Sequence, residues 1–282
     1  MAAVSASMVK ELRERTGLGM MDCKKALVES DGDMEAAIEN LRKSSGMKAA
    51  KKAGRIASDG LLSSKVDGGT GVLVEVNCET DFAARDESFI AFVKMVTDKV
   101  FESGESDIEA LGLETDRENL VQKIGENIAI RRAEVFKDEG TVVGYVHTNG
   151  RIGVMLSMEG GSEDLGKDVA MHIAAMNPTV VSPDDAPADL VAKEREIYTA
   201  QAQDSGKPPE IVEKMIDGRI RKYLAEISLL EQAFVKDGDI KIAALLKKEG
   251  AVVNRFVRYE VGEGIEKEEE DFAAEVQKQL GN

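Results

Sequence analysis

The hydrophobic period of this chain changes once, near residue 56. Before that point apolar residues recur at helical spacing; beyond it, short runs with a period near 2 stand between helical stretches. Neither a helical bundle nor an all-β fold accommodates that order. It calls for a helical module at the front, followed by sheets with helices set beside them, an α+β architecture.

In the front segment Met8, Val9 and Leu12 share a helical face that stops near Gly17. Met20 and Met21 open a second helix with Cys23, Ala26 and Leu27 on its apolar side, and Ser30-Asp31-Gly32 ends it. Asp33 then caps a third helix carrying Met34, Ala37, Ile38 and Leu41. Residues 1–55 therefore read as a three-helix domain, and 46–60 (GMKAAKKAGRIASDG) as a small, basic, partly helical linker.

The next segment holds two strands, Leu61–Val66 and Gly71–Asn77, joined through Asp67-Gly68-Gly69. A polar loop leads into a helix over Glu87–Phe101, with Phe89, Val93, Val96 and Val100 as its apolar stripe. A helix over 116–127 and a strand over Ile128–Phe136 complete a first core half, 56–140. The pattern then recurs. Thr141–His147 is a strand, Asn149-Gly150 a turn, Ile152–Met158 a second strand and Glu163–Met176 a helix. Both second strands start Gly-Val, and little else is shared. This second half, 141–262, contains an antiparallel helical hairpin at 188–228 around Ser205-Gly206-Lys207-Pro208-Pro209 and ends on a strand over Val252–Val261. Residues 263–282 form a C-terminal module, with a helix from about Asp271 onward.

Composition narrows the function. With 37 basic against 53 acidic residues the net charge is −16, so a nucleic-acid partner would have to be met by a local basic patch. Lys48, Lys51, Lys52 and Arg55 are the candidate patch. They have helical spacing and no aromatic platform, which fits a solvated helix face better. Cys23 and Cys78 lie in separate segments without metal-site spacing, and read as reduced, buried thiols. No apolar run approaches twenty residues, and the start lacks the features of a secretory signal. These features lead us to expect a protein of the cytoplasm, with no membrane partner and no direct nucleic-acid partner.

Signatures of covalent chemistry are missing. The two imidazoles, His147 and His172, stand at a strand end and within an apolar helix, and both read as packed or surface histidines. No phosphate-binding loop, dinucleotide fingerprint, nucleophile elbow or calcium loop is present, and the acidic run at 268–271 reads as a solvated helix start. We expect no cofactor and no metal. A docking protein is favoured over an enzyme, with a hydrolase using His147 or His172 as the rival reading.

Two loops stand out. Cys78-Glu79-Thr80-Asp81-Phe82-Ala83-Ala84-Arg85-Asp86 places one Phe in a polar stretch between strand and helix. Either Thr80 or Asp81 caps a helix while Phe82 tucks into the core, or Asp81 and Phe82 project as an interface wedge. In Gly17-Leu18-Gly19-Met20-Met21, two thioethers follow an open turn; they either pack internally or meet a partner.

With these loops, the segments ELRERTGLGMMDCKKAL (11–27), VNCETDFAARD (76–86), KIGENIAIRR (123–132), MHIAAMNP (171–178) and RYEVGEGIEKEEEDFAAEV (258–276) give the chain a close, nearly end-to-end resemblance to the bacterial translation elongation factor Ts family, guanine nucleotide exchange factors for elongation factor Tu. One departure is Ala83, where the family often has Val. The resemblance implies an N-terminal domain similar to ubiquitin-associated domains, two related core halves, an inserted coiled-coil hairpin and a C-terminal helical module. It implies that Thr80, Asp81, Phe82 and Ala83 form the exchange loop, and that Asp81 and Phe82 reach the partner GTPase near its magnesium and phosphates. It implies further contacts from Arg13, Met20 and Met21 and, to another domain of the partner, from His147. The protein's own assembly is left open, with a homodimer or a heterotetramer with the partner both compatible. A general adaptor that docks through its three helices remains the alternative.

Overall fold

The computed structural model describes residues 4–203 and 208–266. Three helices open the chain: α1 (Ala6–Thr16), α2 (Met20–Glu29) and α3 (Met34–Lys52). Ser5 caps α1 by accepting the Met8 N–H, and Asp33 caps α3 by accepting from Ala36. Gly17 ends α1 in the left-handed region at φ 69°, a conformation that favours glycine. Leu12, Leu18, Cys23, Leu27, Ala37 and Leu41 close a small aliphatic core between them. The stretch expected as a partly helical linker is helical as far as Lys52, so α3 continues without a break out of this core. Its distal part buries Ser45 and Ala49. The Ser45 hydroxyl donates to Gln122 Oε1 in α6 (Glu114–Ile124).

The first sheet has the order β1-β2-β3, all antiparallel, from β1 (Asp59–Asp67), β2 (Thr70–Cys78) and β3 (Ala129–Lys137). Between β2 and β3 the chain forms a short helix, α4 (Asp81–Ala84), then α5 (Glu87–Ser103) and α6. The expected stripe of Phe89, Val93, Val96 and Val100 is buried against Val72, Val74 and Val76 of β2. The second sheet repeats this with β4 (Thr141–Val146), β5 (Ile152–Glu159) and β8 (Val252–Glu260) in the order β4-β5-β8. Helix α7 (Glu163–Met176) packs on it through Leu165, Val169 and Ile173.

The inserted hairpin is present as α8 (Ala188–Gln203) and α9 (Pro209–Ile227), joined along Val191, Tyr198, Ile216 and Ile220. After it come three elements absent from the expectation: a two-stranded ribbon, β6 (Ala233–Phe234) and β7 (Asp237–Lys241), and helix α10 (Ile242–Lys248). Phe234, Ile242 and Leu246 join the core of the second half. The helix expected from about Asp271 lies outside the described residues. No described helix is long and apolar enough to cross a membrane.

The two halves correspond residue by residue. Gly71 pairs with Phe136 across β2 and β3, and Gly153 with Tyr259 across β5 and β8. Further along, Glu75 pairs with Arg132 and Ser157 with Arg255, and each sheet has its register shift directly after that pair. The sheets pack on each other through Leu62, Leu73 and Phe136 of one half and Val142, Met155 and Tyr259 of the other. These are three corresponding pairs.

The joint also carries charge. Glu75 is fully buried in β2. It accepts from Arg132 at 2.6 Å, Arg131 at 3.0 Å, Asn77 at 3.1 Å and, from the other half, the Gly262 N–H at 2.9 Å. Burial alone would push its pKa up; the Gly262 N–H and the Arg132 guanidinium outweigh that and hold the carboxyl below its usual value.

Candidate functional site

The turn after β2 is built around Thr80. Its hydroxyl accepts the Ala83 N–H at 3.2 Å and so caps α4. The same hydroxyl donates to Glu126 Oε1 at 2.6 Å, while Glu126 Oε2 accepts from the N–H groups of Glu79 and Thr80, each at 3.0 Å. From beneath, the buried Cys78 thiol donates to the Thr80 carbonyl at 3.2 Å. Burial, together with the nearby carboxylates of Glu126 and Asp59, pushes that thiol up to about 12, so it stays protonated at neutral pH.

On this base, Ala83 and Ala84 face inward and are buried. Small side chains let the turn lie close to the first core; Ala83 joins the same cluster as Val76 and Phe89. Phe82 is turned the other way and is 80% exposed. The cap expected at Thr80 or Asp81 is thus made by Thr80. The companion idea that Phe82 packs into the core is corrected, because the inward positions of this turn belong to the two alanines. Asp81, in the first turn of α4, is paired with Arg85 at 2.8 Å on the open surface. Asp86 caps α5 through the Ser88 N–H, and the Ser88 hydroxyl and N–H hold its carboxyl below the usual range.

The other singled-out loop divides in the same way. Leu18 is buried in the three-helix core, whereas Met20 and Met21 are 60% and 74% exposed at the start of α2. Arg13 is exposed on α1, where it lines one shallow hollow with Lys123.

The two histidines occupy different settings. His147 is exposed where β4 meets its turn, with Nδ1 3.0 Å from the Tyr145 hydroxyl. His172 is fully buried in α7. Its Nδ1 accepts the Val235 N–H at 3.2 Å, which leaves Nε2 to donate to Gln232 Oε1 at 2.9 Å. Burial lowers its pKa, against the raising effect of the Gln232 bond. Among the described residues, neither imidazole hydrogen-bonds to a serine or a cysteine. Among the described residues no group of three or more His, Cys, Asp and Glu could hold a metal ion. The basic cluster is largely occupied by protein partners: Lys48 pairs with Asp22 at 3.3 Å, Lys52 donates to the Gly125 carbonyl, and Arg55 lies 3.5 Å from Glu79.

Glu79 and Glu126 are not among the site residues that the sequence predicts. The expectation of a helix through residue 127 hides Glu126: α6 ends at Ile124, and Gly125-Glu126-Asn127 is a polar turn before the half-buried β3, within one of the segments that carry the family resemblance.

Comparison with known proteins agrees with that resemblance. A family model described as Elongation factor TS matches residues 79–263. Elongation factor Ts of Hahella chejuensis is 64% identical over 286 residues, covering 99% of each chain. The protein of the same name from Teredinibacter turnerae is 61% identical, with 99% of this chain and 97% of the relative covered. That from Saccharophagus degradans is 57% identical, with 99% and 98% covered.

Proposed function

Because the chain belongs to the elongation factor Ts family, we propose that it is a guanine nucleotide exchange factor that binds elongation factor Tu and speeds GDP release during protein synthesis in the cytoplasm. It performs no covalent chemistry of its own. The observation that carries this reading is Phe82, a large apolar side chain 80% exposed at the tip of an anchored turn. An exposed aromatic on a rigid base suits a wedge that fills a pocket on a partner.

In this reading Asp81 and Phe82 enter the partner's GTPase domain near its magnesium and phosphate site. Arg13, Met20 and Met21 add a second contact from the N-terminal domain, which is of the ubiquitin-associated type. His147 faces a different domain of the partner from the second core half. The modules are 1–55, 56–140, 141–262 with its coiled-coil hairpin, and 263–282.

GDP is retained by backbone N–H groups around its phosphates and by magnesium. A factor that speeds its loss must bind the nucleotide-free partner better than the GDP-bound one, and GDP must weaken the factor's binding by the same ratio. A ten-thousand-fold acceleration needs about 5.5 kcal/mol. Burying one Phe supplies about 1.5–3 kcal/mol. The wedge therefore needs help from the rest of the interface, which gives the separated contact regions a common purpose.

The test is stopped-flow release of a fluorescent GDP analogue from elongation factor Tu. Large acceleration at substoichiometric protein supports catalytic exchange. Binding without acceleration would leave an adaptor and end the exchange reading.

A further inference from the structure

We infer that Glu126 is a positioning residue for exchange: from the turn before β3 it clamps the backbone beneath Asp81 and Phe82 and sets the direction in which that tip is presented. The inference rests on the proposed function above and assigns a role to a segment, residues 123–128, that this function does not otherwise use.

The contacts are reciprocal. Glu126 takes three donors, all from Glu79 and Thr80, the two residues that precede the tip. In return Glu79 Oε1 accepts the Asn127 N–H at 2.6 Å. Two turns distant in sequence thus exchange carboxylate-to-backbone bonds, a stiffer arrangement than either turn makes alone. The bond from Thr80 also uses up its hydroxyl hydrogen. The oxygen's lone pairs are then left to the Ala83 N–H, which is what starts α4.

The same short segment grips the end of α3. The buried Asn127 side chain donates to the Arg55 carbonyl at 2.8 Å, and Lys52 donates to the Gly125 carbonyl. Arg55 closes the circuit on Glu79 at 3.5 Å. The turn at 125–127 is therefore the point at which the exit of the three-helix domain and the base of the Phe82 tip are fastened together. A wedge works only when its direction is fixed; misplacement by about 1 Å in a reacting geometry can cost a hundredfold. The clamp does this without touching the partner.

The experiment uses the full chain with Glu126→Ala, and Glu126→Gln as the isosteric variant that keeps one acceptor oxygen. GDP release is followed at increasing factor concentration to separate the saturating rate from the half-saturating concentration. Amide hydrogen exchange at residues 79–83 and thermal unfolding are measured alongside. We expect the saturating rate to fall on the order of tenfold in Glu126→Ala, with half-saturation moved by no more than about twofold. Glu126→Gln should lie between, and the Glu79 and Thr80 amides should exchange faster in both variants. A purely structural role would lower the melting temperature and active fraction but leave the rate per folded molecule unchanged, and that result would overturn the inference. So would wild-type exchange with freed amides. If Glu126→Ala does not fold, Glu126→Gln decides by the same readings. If the wild-type protein itself fails to speed release, the proposed function falls first and this inference with it, an outcome distinct from an active wild type with an equally active variant.

Discussion

The Arg132 guanidinium lies over the ring of Tyr259, 3.8 Å from its centroid. The corresponding residues of the other half repeat the contact in the reverse direction, with Arg255 at 3.8 Å over Phe136. Each third strand contributes one cation and one ring, four residues apart on the same face, and each cation crosses to the other strand's ring. The joint between the halves therefore behaves like a two-fold interface within one chain. Arg132 is the more deeply placed cation and is also held by buried Glu75, whereas Arg255 has the looser partners Glu134 and Asp138 at 3.8 and 3.5 Å. Double-mutant cycles should give a coupling of about 1–2 kcal/mol for Arg132 with Tyr259 and about 0.5–1 kcal/mol for Arg255 with Phe136. Couplings near zero in both urea-unfolding cycles would mean that the stacking adds nothing.

The glycines at the second positions of β2 and β5, Gly71 and Gly153, mark the same symmetry. A Cβ at Gly71 would stand 2.6 Å from Val142 Cγ1 and 2.7 Å from Met155 Sδ; one at Gly153 would stand 2.8 Å from Leu73 Cδ1. Each glycine thus meets the residue that corresponds to the other's neighbour. Gly71→Ala and Gly153→Ala should each destabilise by about 1–3 kcal/mol through overpacking. Urea midpoints read this directly, and two neutral substitutions would show that the sheets have room to part.

These relations explain what could be read in advance. The strands were legible because each is long and bounded by its own turn residues, such as Gly68-Gly69 and Asn149-Gly150. The Gly-Val start of β2 and β5 was the visible trace of the repeat. What it does, namely letting two sheets meet at Leu73 and Met155, depends on residues far apart in the chain. The segment 233–248 escaped because β6 has two residues, β7 five and α10 seven, too few for a period to emerge. At the turn after β2, a cap at Thr80 or Asp81 was legible from the residues, whereas the outward direction of Phe82 came only with the family resemblance. A staple and a wedge share one sequence pattern, and only the packing of Ala83 and Ala84 decides between them.

Stability should depend on pH through His172. Folded His172 holds its proton less tightly than an unfolded histidine, whose pKa is about 6.5, because burial disfavours the imidazolium. Protonation would also turn Nδ1 from an acceptor into a donor facing the Val235 N–H. The stabilisation is complete above about pH 6.5 and is lost as the pH falls through the lower folded value. Unfolding free energies between pH 8 and 5 should show this loss in the wild-type chain. It should be reduced in His172→Gln, which still has polar atoms for Gln232 and Val235. Identical pH profiles would place the acid sensitivity elsewhere.

Phe82→Ala separates the wedge from the fold. The side chain is 80% exposed and joins no buried cluster, so removing it should change stability by no more than about 0.5 kcal/mol. The Thr80 cap and the Glu126 bonds involve backbone and hydroxyl groups that alanine leaves in place. Helix α4 should therefore persist, and amide exchange at residues 79–83 should match the wild type. GDP release from elongation factor Tu should nevertheless slow on the order of tenfold to a hundredfold, the range that about 1.5–3 kcal/mol of lost Phe burial implies. Because the remaining contact regions are intact, affinity for the nucleotide-free partner should fall less than the rate. Exchange at the wild-type rate from a correctly folded Phe82→Ala protein would remove Phe82 from the mechanism. A loss of affinity with release unchanged at saturating factor would instead make Phe82 an ordinary binding contact, equally favourable before and after GDP departs.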